Sequence, residues 1–184
     1  MKTKLFLIFI FFKTTCLGQA GMWTWMKGDT ISTPVAVYGT QGIPSPLNMP
    51  PGEYEPAQWT DQQGNVWLFG GVLPNPDLWK LDMQTLEWTW VGGTAGGATT
   101  PVYGTKGVAS PLNWPKSTGL YSFATWADTS NNLWLMEFQT SVLWKYDIAI
   151  GEWTWVNGDT TINSSPVYGT QGIPSPLNSP ASRG

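Results

Sequence analysis

Residues 67–91 contain three runs: Trp67-Leu68-Phe69-Gly70-Gly71, then Leu78-Trp79-Lys80-Leu81-Asp82, then Glu87-Trp88-Thr89-Trp90-Val91. Short apolar and β-branched runs between turn residues are the pattern of strands. In the last run Trp88 and Trp90 fall on one face, and Glu87, Thr89 and Val91 on the other. That is the period-two alternation of a strand. Upstream, the run Tyr54 to Asp61 ends at the turn Gln62-Gln63-Gly64. The stretch therefore predicts four short antiparallel strands, at Tyr54–Asp61, Asn65–Phe69, Asp77–Met83 and Leu86–Val91.

The pattern recurs. Trp23-Thr24-Trp25, Trp88-Thr89-Trp90 and Trp153-Thr154-Trp155 are spaced by 65 residues. Val37-Tyr38-Gly39-Thr40 returns at Val102 and Val167, and Ser45-Pro46-Leu47-Asn48 at Ser110 and Ser175, with the same spacing. Residues 37–48 and 167–178 are identical. A period of this size marks an array of supersecondary units. The second unit predicts strands at Ser122–Asp128, Leu133–Phe138, Leu143–Ile148 and Glu152–Val156, with Asn131 in place of Gly64. Asn tolerates the left-handed turn position best after Gly. The Gly-, Pro- and Thr-rich stretches between the strand sets keep one length in all copies. Flexible linkers tolerate drift in length, so these stretches are expected to be ordered loops.

The order Gly70-Gly71, Leu78-Trp79-Lys80-Leu81-Asp82, Glu87-Trp88-Thr89-Trp90 resembles a kelch repeat of the secreted bacterial type, grouped by fold with the central domain of galactose oxidase. The resemblance implies an all-β fold of four-stranded propeller blades, with cores at about 53–91 and 121–156 and inter-blade loops at about 26–52, 92–118 and 157–180. It also implies a leading outer strand at Met22–Met26. Propellers close with 4–8 blades. Two cores therefore make residues 21–184 an incomplete propeller, expected to be the N-terminal fragment of a longer one or to close by self-association. In copy two Gly70-Gly71 becomes Glu137-Phe138, so the bend after its second strand must be built differently.

Composition removes several functions. The 9 basic residues against 12 acids argue against a nucleic-acid partner. With no His and one Cys, neither imidazole chemistry nor a zinc cluster is expected, and no metal, cofactor or catalytic residue is assigned. Galactose oxidase-like activity would need copper held by two His and two Tyr, one of them cross-linked to Cys, so the chain is not expected to be an enzyme. Lys2 and Lys4, the apolar run Leu5–Phe12 and the small residues before Gly21 read as a signal peptide, residues 1–20, cleaved after Ala20. Secretion or cell-surface display follows. The apolar run is too short to span a bilayer.

Five residues are candidate ligand contacts. Trp114 sits in a Pro-rich loop where the other copies have Met49 and Ser179, and is the candidate platform for a sugar. Tyr38, Tyr103 and Tyr168 recur in the loops and either line a shared binding face or pin each loop. Glu137 is the acid whose position the repeat does not explain, and it is expected at a solvated strand end. The partner is expected to be a protein bound through the loops, with a glycan as the alternative.

Overall fold

The computed structural model describes residues 23–31, 34–71, 76–97, 100–116 and 123–182. The expected signal peptide lies outside these residues. The described residues hold strands and no helix: β1 (Ala57–Thr60), β2 (Val66–Phe69), β3 (Leu78–Leu81), β4 (Trp88–Gly92), β5 (Ala109–Ser110), β6 (Phe123–Ala127), β7 (Asn132–Glu137), β8 (Leu143–Asp147) and β9 (Glu152–Asn157). Strands β1-β2-β3-β4 form one antiparallel sheet in chain order. Strands β6 to β9 form a second, with β5 added beside β9. The chain is all-β, and neither sheet closes on itself. Among the described residues no helix is long and apolar enough to cross a membrane.

The leading strand expected at Met22–Met26 does not form across residues 23–26. A strand needs a neighbour for its backbone hydrogen bonds, and none of the described strands borders this segment.

The two copies share a register. Trp67 pairs with Lys80 and Leu68 with Trp79, as Trp134 pairs with Lys145 and Leu135 with Trp144. Each first hairpin is closed around an aspartate. The Asp61 carboxylate accepts hydrogen bonds from the Gln63 and Asn65 backbone N–H groups, the Asn65 amide and the Trp67 indole. Asp128 accepts the matching set from Ser130, Asn132 and Trp134. Burial of Asp61 favours its neutral form, but the donors outweigh that and hold its carboxyl below the ordinary range. The Asn132 and Trp134 donors hold Asp128 well below it. At the turn, Gly64 has φ 82° and Asn131 φ 63°, the left-handed conformation expected of both.

The sheets meet through one aromatic core. Trp59, Trp67, Phe69 and Leu78 join Leu133, Leu135, Trp144, Tyr146 and Trp153. Across the junction Phe69 lies 5.6 Å from Trp153 and Trp67 lies 5.9 Å from Tyr146, centroid to centroid. Each Trp buries about 150–250 Å², so the core tryptophans of the two sheets act mainly as packing between and within them. Polar links fix the angle: the Trp59 indole donates to Trp134 O at 2.7 Å and Thr125 donates to Gln58 O at 2.8 Å. The hairpin tips clasp through Gln62 N to Asn131 Oδ1 and Asn131 Nδ2 to Gln63 Oε1.

Candidate functional site

The three recurring loops are built alike. Each is closed at its base by a reciprocal backbone pair: Val37 with Met49, Val102 with Trp114, Val167 with Ser179. An asparagine braces each turn, because its side-chain amide donates to the carbonyl of Ile43, Val108 or Ile173 at 3.0–3.2 Å. A side chain on Gly39, Gly104 or Gly169 would collide with the brace at Asn48, Asn113 or Asn178. That collision, with φ near 60° at all three, explains why the Tyr-Gly step recurs.

Loops one and two are docked on the outer edge of the following sheet. Gly42 N and Ser45 N donate to the carbonyls of Trp90 and Trp88, and Asn48 Nδ2 donates to Trp88 O at 2.9 Å. In copy two Gly107 N donates to Trp155 O, Ser110 pairs with Trp153, and Asn113 Nδ2 donates to Trp153 O at 2.9 Å. Loops one and two are therefore extensions of the sheets. Asn113→Ala should lower the urea midpoint by an amount equivalent to about 1–2 kcal/mol, since it leaves a buried carbonyl short of a donor. Faster hydrogen exchange at Gly107 should accompany the loss.

The loop tyrosines do not line one open face. Tyr38 packs 5.2 Å from both Trp79 and Trp90, and its hydroxyl donates to Asp77 at 2.7 Å. Burial, then the hydrogen bond and charge of Asp77, push its phenol well above the ordinary range. Tyr103 stacks on Trp144 at 5.4 Å and meets Trp155 edge-on at 5.6 Å. Burial, helped by Glu137, raises its pKa to about 12. These two rings pin their loops. Among the described residues Tyr168 has no such partner, and it is 70% exposed.

Trp114 does not stand free as a stacking platform. Its ring lies 6.1 Å from Phe69 and 6.5 Å from Trp153, and its indole donates to Pro76 O at 2.8 Å. Its ring tip also packs on Gly92, where an added Cβ would come within 2.8 Å. The repeat itself gives the reason. Clefts of about 440 and 360 Å³ lie between the end of a Trp-Thr-Trp segment and the next Pro-Leu-Asn turn. Met49 lines the first and Ser179 the second. Trp114 takes the same place in the middle copy, where its ring fills the space.

Glu137 is not at a solvated strand end. It is fully buried. It is the last residue of strand β7, and the turn at 138–140 folds back over it so that Glu137 N donates to Val142 O. Its carboxyl accepts from the Trp144 indole at 3.0 Å, the Thr140 hydroxyl at 2.8 Å and Lys116 N at 3.3 Å. Burial raises its pKa against the pull of these donors. In copy one Gly70 stands at this position, and a buried carboxyl comes instead from Glu53. A side chain on Gly71 would collide with it. Burial and the neighbouring Asp77 raise Glu53 to about 8. Among the described residues its Oε2 and the Trp79 indole, equivalent to the satisfied Trp144 indole, are buried and have no hydrogen-bond partner.

No family model, curated protein or solved structure matches the chain.

Trp114, Glu137, Tyr38 and Tyr103 are engaged internally, whereas the outer side of the loops is exposed. Leu47, Leu112 and Leu177 are 78%, 76% and 77% exposed, each flanked by an exposed Ile43, Val108 or Ile173. Leu in a Pro-Ser turn has no special chemistry, so residue type alone does not single these positions out. Their signal in the sequence is the recurrence of an apolar pair in a rigid, polar loop. Among the described residues no group of three or more His, Cys, Asp or Glu is placed to hold a metal ion.

Proposed function

We infer that the chain forms exported kelch-like β-propeller blades that bind protein partners through their inter-blade loops. Two four-stranded meanders of one register, related by the 65-residue repeat and packed through their first strands, support the propeller reading. The observation that carries the binding role is the thrice-repeated apolar pair on braced loops. Rigid exposed apolar groups lose little entropy on binding, and a cluster of exposed apolar positions marks interaction surfaces. A protein partner with matched apolar spacing fits better than a sugar, because the candidate stacking residue Trp114 is packed against Phe69 and Trp153.

The test is a side-by-side screen of the chain on arrays of extracellular proteins and of glycans. The expected result is a protein target whose affinity falls at least 100-fold in the Leu47→Ser, Leu112→Ser, Leu177→Ser triple variant. Burying each leucine side chain is worth about 1.5–3 kcal/mol. Glycan binding that the triple variant retains would replace this reading with the carbohydrate one.

A further inference from the structure

Loop three has the shape of a strand-binding edge without its strand. Its base pair between Val167 and Ser179 is closed, and Asn178 Nδ2 donates to Ile173 O, as in the sister loops. The groups that grip a strand in those loops are Gly42, Ser45 and Asn48 in loop one, and Gly107, Ser110 and Asn113 in loop two. Their counterparts Gly172 N, Ser175 N and Asn178 Nδ2 bond to no strand among the described residues. Tyr168 is correspondingly uncovered, whereas Tyr38 and Tyr103 close on tryptophans of the bound strand.

Loops one and two state what the edge holds. In both cases the occupant is the tripeptide Trp-Thr-Trp, as Trp88-Thr89-Trp90 or Trp153-Thr154-Trp155. A third copy, Trp23-Thr24-Trp25, pairs with no described strand, and Trp23 is 99% exposed. It is already shaped for the role. The Trp25 indole donates to Lys27 O two residues on, as Trp90 donates to Gly92 O and Trp155 to Asn157 O. Its own chain holds it elsewhere: Lys27 Nζ donates to Pro46 O of loop one, on the first sheet, while loop three follows β9.

We propose that loop three of one chain binds the Trp23-Thr24-Trp25 segment of a second copy as an added strand, head to tail. In the sister register, Trp25 O accepts from Gly172 N. Trp23 O accepts from Ser175 N and Asn178 Nδ2, and Tyr168 closes on Trp25. Strand addition to a free edge is a general mode of recognition. Because the two surfaces differ, the contact is heterologous and propagates beyond a dimer. It is separate from the binding role above. The Ile43 and Leu47 face stays exposed in loop one with the strand in place, so it is not the edge used here.

Sedimentation velocity over a concentration series tests this with three chains: the unaltered one, Asn178→Ala, and the Trp23→Ala, Trp25→Ala double variant. All altered residues lie outside the sheets, and unchanged unfolding midpoints should show both variants folded. The unaltered chain is expected to form dimers and larger species. The double variant should stay monomeric, Asn178→Ala should associate about tenfold more weakly than the unaltered chain, and their equimolar mixture should stop at a heterodimer. A fluorescein-labelled peptide of residues 22–29 should bind the double variant and bind Asn178→Ala about tenfold more weakly. A monomeric unaltered chain overturns the proposal, including one that refuses the peptide because its own segment fills loop three. Association of unaltered strength in either variant also overturns it, and assigns the contact to the open sheet faces.

Discussion

Glu137→Ala should be the most damaging single change in the second sheet, lowering stability by about 3–5 kcal/mol. The carboxyl is the acceptor for three donors, the Trp144 indole, the Thr140 hydroxyl and Lys116 N. Truncation leaves a cavity and strands those donors, two of them on buried side chains. An unpaired buried donor loses its full hydration without return, which is why removal of one partner costs about 1–3 kcal/mol per orphan. Glu137→Gln separates the polar role from the packing role. Its amide oxygen still accepts from Trp144, and the Thr140 hydroxyl can turn to accept from the new N–H. The expected loss is therefore about 1 kcal/mol. Urea unfolding of the three chains measures the difference. Equal losses in both variants would mean that the charge itself matters rather than the acceptor.

Glu137 also marks where the sequence stops being legible. The repeat period, the strand sets, the turn at Asn131 and the packing role of most tryptophans can be read from spacing, because strand alternation and turn chemistry are local. Position 137 can be read only as a lost glycine. Its environment is set by a turn that folds over it and by Lys116, 21 residues away. Trp114 misleads for a related reason. In isolation a Trp in a Pro-rich loop suggests a ligand platform. Its true neighbours, Phe69, Gly92 and Trp153, come from both sheets. The segment Met22–Met26 misleads in the opposite sense. It has the sequence of a fourth strand, but strand formation depends on a neighbour rather than on the residues themselves. Tyr168 makes the same point, since a residue identical to Tyr38 in an identical loop is exposed when none of the described strands lies beneath it.

The first sheet should lose stability as pH rises from about 4.5 to about 8, and Glu53→Gln should remove most of that slope. Burial raises the Glu53 carboxyl from 4.5 to about 8, with the nearby Asp77 adding to the effect. Between those values the folded chain keeps a proton that the unfolded chain has released. Stability then falls with increasing pH, because the folded state binds more protons than the unfolded one. The contribution is fully present below about pH 4.5 and gone above about pH 8. A tenfold difference in proton affinity between the folded and unfolded chain is worth about 1.4 kcal/mol. Partial access of solvent to Glu53 screens the penalty, so about 2–3 kcal/mol is the expected change across the window. Glu137 is raised as well and adds a slope of the same sign, which Glu53→Gln leaves in place. Asp61 and Asp128 act oppositely. Their carboxyls are held low, and their stabilisation is lost as pH falls below the ordinary aspartate value of 3.8. Stability should therefore peak between these limits, near about pH 4–5. Ionised Glu53 would place a second negative charge beside Asp77, the carboxylate that anchors Tyr38 and the backbone N–H groups of Thr94, Ala95 and Gly96. Loop one should loosen with it. The check is urea unfolding at about pH 5 and about pH 9 for both chains, with Glu53→Gln the more stable of the two at the higher pH. A parallel pH slope in the two chains would move the effect away from Glu53.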